Sequence, residues 1–357
     1  MYQDPFKEYI KQSEPNKRDK GYAWSTAIGL QAVDGLEPSE HLVKTAIENI
    51  EGYISMEDAE KRINSYYEAI PKKEEDDRTE EADKVSVRIA AILSEKAFTF
   101  SPSEYIGIHK KLFSGIYKHA GKIRDYNITK KEWVLDGATV LYGNAAELRQ
   151  TLEYDFEQEK KFSYKGLSTD EIIEHLAFFV SRLWQIHIFG EGNTRTTAVF
   201  FIKYLRSLGY DATNDIFAEN AWYFRNALVR ANYNNLKENV HETTVYLEKF
   251  IRNLLLYESN ELKNRYLHIK SIFEEKEDEN VGVNDKNVGV NVGVKLNKTQ
   301  RKIVEVLKNN PNSTIEEMAK YAEVEPRTIE RNIKALKEKN VIDRVGADKN
   351  GHWIVKI

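Results

Sequence analysis

Apolar residues recur through the first 270 positions at helical spacing. Ile172, Leu176, Phe179, Val180 and Leu183 make one stripe of a 3.6-residue period. A second helix reads from Thr196 to Leu208 and ends at Gly209, the residue type favoured just past a helix end. It is apolar over most of its surface, which predicts a central place in the core. One hairpin interrupts the helices: EWVL and ATVLY flank Asp136-Gly137, and Asp-Gly between two β-prone runs predicts a type I′ turn. Residues 1–75 read as a separate helical lobe with a break at Gly52. Ser55 is the expected N-cap of its second stretch, with Glu57 and Asp58 in the first turn, although a full capping box would have Glu or Gln at 58. The charge run KKEEDDRTEEADK is read as a solvated connection to the next helix.

After EEKEDE the character changes. NVGVN occurs at 280–284 and again at 287–291, and residues 271–296 are read as a flexible linker, a short β-pairing segment being the alternative. Beyond it KTQRKIVEVLKNN, STIEEMAKYA and PRTIERNIKALKEK predict three helices, and DRVGADKNGHWIVKI a β-hairpin wing. Ser313 with Glu316 predicts a capping box on the second of these helices. On the third, Ile329, Ile333 and Leu336 share one face while Arg327, Arg331 and Lys334 share another, the pattern of a recognition helix.

Composition narrows the function classes. The chain has 357 residues, 41% hydrophobic and 31% charged, enough apolar matter for a buried core. No apolar run approaches the roughly 20 residues of a membrane-spanning helix, and the N-terminus lacks the apolar stretch of a signal peptide. Cytoplasm is the expected location. With no cysteine, disulfides, thiol nucleophiles and cysteine-ligated metals are excluded. The net charge of −4 is too balanced for a chain that binds nucleic acid along its whole length. Residues 298–357 carry 13 basic against 9 acidic side chains, a modest positive module.

The richest chemistry lies at His187-Ile188-Phe189-Gly190-Glu191-Gly192-Asn193-Thr194-Arg195, between the two helices first described. An imidazole, a carboxylate, a carboxamide and a guanidinium converge on a turn that opens a helix. The free N–H groups and dipole of that helix end favour an anion. Backbone amides and Arg195 suit phosphate oxygens, Asn193 can donate to another, and Glu191 suits Mg²⁺. His187 suits the removal of a hydroxyl proton. Neither common nucleotide-binding glycine motif is present. Read blandly, the same residues are a tight turn and a capping histidine.

This stretch resembles the signature of the Fic family, H-x-F-x-[DE]-G-N-G-R-x-x-R, at His187, Phe189, Glu191, Gly192, Asn193 and Arg195, six of the eight specified positions. His119-Ala120-Gly121-x-x-Arg124 and the 136–137 hairpin fall where that family has an arginine-bearing segment and a β-hairpin flap. The resemblance covers roughly residues 80–260. It implies transfer of AMP from ATP to a protein hydroxyl, with His187 as general base and Phe189 anchoring the loop. It further implies Mg²⁺ on Glu191, and phosphates on Gly190, Gly192, Asn193, Thr194 and Arg195. Trp133, Val134 and Leu135 on the flap would dock the target, while Asn226 and Tyr233 would help line the nucleotide pocket.

Two departures from the signature stand out. Thr194 replaces a glycine, and Ala198 replaces the second arginine, which in the family holds the γ-phosphate and partners an inhibitory glutamate. The N-terminal lobe resembles the small antitoxin domain of the family, with Asp34 and Glu48 as inhibitory candidates. With no arginine at 198, the acid–arginine clamp is not expected to operate.

The sequence therefore predicts a mainly α protein: an antitoxin-like lobe over 1–75, a Fic core with a β-hairpin flap over 76–270, a linker, and a winged helix-turn-helix over 297–357. Expected partners are ATP with Mg²⁺, a protein bearing a Ser, Thr or Tyr hydroxyl (the chain itself included), DNA at the C-terminal module and a second copy in a homodimer, but no membrane. The rival readings are a DNA-binding regulator with a degenerate nucleotide-sensing core, and transfer of UMP or phosphocholine in place of AMP.

Overall fold

The computed structural model describes residues 4–11, 14–69, 76–212, 216–270, 298–309, 311, 313–322, 324, 326–338, 341–345 and 352–355. The 271–296 linker expectation lies outside the described residues. The chain divides into two compact units, Met1–Glu277 and Asp278–Ile357. Among the described residues no helix is long and apolar enough to cross a membrane.

Eleven of the described helices make the first unit: α1 Lys7–Lys11, α2 Pro15–Gly29, α3 Glu40–Glu51, α4 Met56–Ala69, α5 Asp76–Ser94, α6 Pro102–Phe113, α7 Leu148–Lys161, α8 Thr169–Ile186, α9 Asn193–Ser207, α10 Ile216–Arg230 and α11 Val245–Leu256. The apolar stripe of α8 is buried at Leu176, Phe179, Val180 and Leu183. Its start is fixed by a capping box, in which Ser168 accepts from the Glu171 N–H and Glu171 accepts from the Ser168 N–H. α9 is buried from Asn193 through Leu205, as its all-round apolarity predicts. It begins three residues before Thr196, so Asn193, Thr194 and Arg195 occupy its first turn. Its one buried amine, Lys203, donates to the carbonyls of Ile92 and Glu95 at the end of α5, where the helix leaves acceptors unmet.

The N-terminal helices pack directly on this core. α2 lies along α5 and crosses α10. At the crossing a Cβ on Gly29 would lie 2.3 Å from the Ala218 Cα, so backbone meets backbone. At the start of α4, Ser55 Oγ accepts from the Asp58 N–H at 3.0 Å and Asp58 Oδ2 accepts from the Ser55 N–H at 3.2 Å. The shorter acid thus completes a reciprocal cap. The charge run departs from its expected role. Its residues 76–84 are the first turns of α5, and Asp83 is fully buried, accepting from the Ser39 N–H, Ser39 Oγ and Tyr67 Oη. Sequence character alone suggested solvent, but three donors from α3 and α4 make burial of this carboxylate tolerable.

The expected flap hairpin is a turn without a ladder. Asp136 and Gly137 both have positive φ, 54° and 85°, and the Ala138 N–H donates to Leu135 O at 3.0 Å, as a type I′ turn requires. Trp133–Leu135, however, is a 3₁₀ turn, and no strand occurs over 131–142. Val134 and Leu135 are both buried, which the alternation of a hairpin strand with one solvated face would not give.

The second unit comprises α12 Lys298–Asn309, α13 Ile315–Ala322 and α14 Pro326–Glu338, followed by an antiparallel pair, β1 Ile342–Val345 and β2 His352–Val355, with Ile342 opposite Val355. Ile329, Ile333 and Leu336 are buried with Ile303, Leu307 and Met318. The capping box of α13 falls one residue later than expected: Thr314 and Glu317 exchange the two bonds, at 3.2 and 2.8 Å. Lys334 is exposed, whereas the side chains of Arg327 and Arg331 lie outside the described part.

Candidate active site

The 187–195 loop leaves α8 at His187, which adopts the left-handed conformation (φ 50°, ψ 54°), and enters α9 through Gly192 (φ 75°). A non-glycine residue at positive φ needs outside support. Arg124 supplies it, donating from its guanidinium to the carbonyls of His187 (2.7 Å), Tyr126 and Gly143 (2.6 Å), while its own N–H binds Ile188 O. Gly192 is held to glycine twice over, since a Cβ there would also lie 2.4 Å from the Phe113 ring.

His187 is 3% exposed. Its Nδ1 lies 3.3 Å from Trp184 O, an acceptor, which places the ring hydrogen on Nδ1 and leaves the Nε2 lone pair free. Nε2 is buried with no hydrogen-bond partner. Burial first, and then the charge of Lys130, holds the imidazole well below its usual range, so the ring is neutral at pH 7. Tyr142 packs against it at 4.4 Å, and Tyr142 Oη donates to Glu132, whose carboxylate is gripped by both Nη atoms of Arg225.

Phe189 is fully buried and stacks on His109 with ring centroids 3.7 Å apart. Burying such a ring contributes about 1.5–3 kcal/mol, so it anchors the loop. His109 does more than pack. Its Nδ1 accepts from the Gly121 N–H at 2.8 Å, so its Nε2 carries the hydrogen donated to Glu191 O at 3.0 Å. Burial pushes this imidazole down to about 4.

The candidate phosphate ligands divide into two sets. Glu191 presents a half-exposed carboxylate, with Oε2 3.3 Å from Lys130 Nζ. The first backbone bond of α9 is Thr196 N–H to Gly192 O, so the N–H groups of Asn193, Thr194 and Arg195 have no partner within the helix. Gly190 lies under Tyr126 and His119, where a Cβ would be 2.6 Å from the tyrosine hydroxyl. The Asn193 side chain, in contrast, is turned inward. It donates to Phe189 O at 2.8 Å and accepts from the Phe189 N–H at 3.0 Å, so it staples the loop where a phosphate donor was expected. Thr194 has ordinary helical geometry and its hydroxyl accepts from the Trp184 indole N–H at 3.0 Å. The turn takes its positive φ at Gly192, and a second glycine is unnecessary.

Arg195 is 1% exposed and enclosed. Nη2 donates to Glu81 at 2.6 Å and to Tyr117 Oη at 3.1 Å, and Nη1 donates to Gln31 at 3.0 Å. Nε lies 2.8 Å from Asp34 Oδ2, an ion-pair contact in which the N–H is not aimed at the oxygen. Position 198 is alanine and offers no second arginine to an inhibitory acid, while Asp34 contacts Arg195, three residues earlier. Glu48 lies elsewhere, paired with Arg62 at 2.6 Å. Asn226 is fully buried and donates to Asn264 at 2.7 Å, while Tyr233 accepts from Asn235 at 3.4 Å. Gln31, Glu81, His109, Tyr117 and Lys130 were not singled out in the sequence. His109 alone left a trace there, as a histidine among the apolar positions of α6.

Residues 99–205 match the Fic/DOC family model and residues 299–352 the model of an HTH domain, so the chain carries a Fic domain with a C-terminal HTH domain. Over 103 residues it is 31% identical to a protein of Bartonella schoenbuchensis named protein adenylyltransferase VbhT, covering 29% of this chain and 20% of that one. The matched region is thus about a fifth of the length of that relative. The chain is also similar to the crystal structure of a Fic family protein from Desulfovibrio desulfuricans G20, with 9% identity, a TM-score of 0.41 and coverage of 99% of this chain and 94% of that one.

Proposed function

We propose that this chain is a protein adenylyltransferase that moves AMP from ATP to a hydroxyl side chain, on another protein or on itself. The observation that carries the reading is His187: a buried, neutral imidazole whose Nε2 has no partner, beside a helix end with three amides unpaired within the helix. A hydroxyl oxygen attacks the α-phosphorus and its proton passes to His187 Nε2. The bond from that phosphorus to the bridging oxygen breaks, and pyrophosphate leaves with the electron pair. The amides of α9 offset the charge that gathers on the phosphate oxygens.

Glu191 fits Mg²⁺, an ion commonly held by one or two carboxylates with substrate phosphates and water as its other ligands. When bound, the ion supplies neutralisation of the phosphate charge. Asn193 holds the loop that aims these groups. Arg195 is enclosed by Gln31, Asp34, Glu81 and Tyr117 and becomes available to a phosphate only when these partners rearrange. The local likeness to a protein named an adenylyltransferase favours AMP over UMP or phosphocholine as the group transferred.

Intact mass after incubation with ATP and Mg²⁺ tests the reading, wild type beside His187→Ala. Gain of one AMP unit by the wild type alone is the expected result. No gain on the chain or on any added protein, together with no ATP binding by calorimetry, rejects it. For the C-terminal module, the exposed Lys334 opposite a buried face of α14 favours DNA binding. A salt-dependent gel shift with random duplex, weakened by Lys334→Glu, is expected.

A further inference from the structure

A triphosphate concentrates negative charge, and a site that holds one meets it with backbone donors, metal ions and cationic side chains. Of the cations placed around the 187–195 loop, three are committed elsewhere. Arg124 spends its guanidinium on the carbonyls of His187, Tyr126 and Gly143. Arg195 is enclosed by Gln31, Asp34, Glu81 and Tyr117. Arg225 grips Glu132 with both Nη atoms. Lys130 differs. Among the described residues its ammonium has one acceptor, Glu191 Oε2 at 3.3 Å, on the carboxylate that suits the metal ion.

Lys130 is also held in place. Its N–H donates to Thr139 Oγ1 at 3.2 Å, and its side chain is only 29% exposed. Two residues on, buried Glu132 ties the segment down: it accepts from Tyr142 and Arg225, and its N–H donates to Ala138 O at 2.9 Å. A second observation locates the charge. After burial, the charge of Lys130 depresses the His187 imidazole more than those of Arg124 and Arg225. The ammonium thus stands beside both the base and the carboxylate, and the phosphates of a reacting ATP must lie between those two groups.

We propose that Lys130 is a phosphate ligand, which exchanges Glu191 for the ATP phosphates when nucleotide binds. This rests on the adenylyltransferase reading and adds to it a residue outside the loop motif. A metal ion taken up by Glu191 repels the ammonium, and a phosphate oxygen is then the nearest anion. Leaving Glu191 costs little, because a half-exposed ion pair is individually weak. An ammonium on a phosphate makes charge-assisted hydrogen bonds, which are stronger than neutral ones.

Calorimetric titration of the full chain with ATP tests this, once with Mg²⁺ and once with a chelator. Lys130→Met keeps an unbranched apolar side chain and removes the charge. It is expected to weaken ATP about fivefold or more in both conditions. Lys130→Arg should stay within about threefold of wild type, and Lys131→Met, at the exposed neighbouring position, within about twofold. Thermal melting checks that each variant is folded. Unchanged affinity in Lys130→Met overturns the proposal. So does tighter binding with Mg²⁺, because Lys130 would then do no more than block Glu191. An equal loss in Lys130→Arg overturns it as well, since charge would not be what matters. If the wild type itself gives no heat in either condition, the adenylyltransferase reading fails and this proposal falls with it. Failure of the Lys130 effect alone leaves that reading standing.

Discussion

Asp34 lies 2.8 Å from Arg195, reaching from the N-terminal helices to the first turn of α9. Glu81 and Gln31 hold the other edge of the same guanidinium. In the proposed reaction a phosphate and Asp34 compete for Arg195. Asp34→Ala is expected to raise ATP affinity and self-modification at least threefold, and Asp34→Asn less. Stability should fall by about 1 kcal/mol, because Asp34 is partly exposed and Glu81 remains. Calorimetric titration and thermal melting check the two effects together.

Thr194→Gly brings the loop closer to the family signature and should nevertheless harm the protein. The Trp184 indole N–H would lose its acceptor in a buried site. The expected cost is about 2 kcal/mol, with transfer rate little changed. Thr194→Ser keeps an acceptor and should recover most of the loss in a denaturant melt.

Gly192 and Gly52 offer a matched pair, since both have positive φ. Nothing lies within 4 Å of a Cβ at Gly52, but the Phe113 ring is 2.4 Å from one at Gly192. Gly52→Ala should cost about 1–2 kcal/mol of backbone strain alone. Gly192→Ala should add about 1–3 kcal/mol of crowding and disturb the loop. Melting temperatures of the two variants measure the difference.

His109 predicts the response to acid. Its folded value near 4 lies below the ordinary 6.5, so between those two pH values the unfolded chain binds a proton that the folded chain does not. Stability is complete above pH 6.5 and falls as pH drops toward 4, by about 3 kcal/mol from this group. His109→Gln should flatten that slope in urea melts across the interval. The transfer rate should hold well below pH 6.5, because His187 is depressed as well.

What the sequence disclosed was what is local in it. The loop from His187 to Arg195, the apolar α9 and the 136–137 turn each depend on residues a few positions apart. The partners of Arg195 come from positions 31, 34, 81 and 117 and meet only through the packing of α2, α5 and α6, which no spacing encodes. Asp83 misled for the same reason: a charged run looks solvated until distant donors are known. Asn193 shows the limit within the motif itself, because residue type fits a phosphate contact and a loop staple equally, and only the direction of the amide separates them.

The Gly29–Ala218 crossing bears on how this chain can change over generations. Most buried positions accept a graded series of side chains and drift through it. At 29 the neighbouring surface is backbone, and even one methyl group has nowhere to go. Inheritance at that codon is therefore close to all-or-none: glycine lets the two backbones meet, and any larger residue forces one of them to shift.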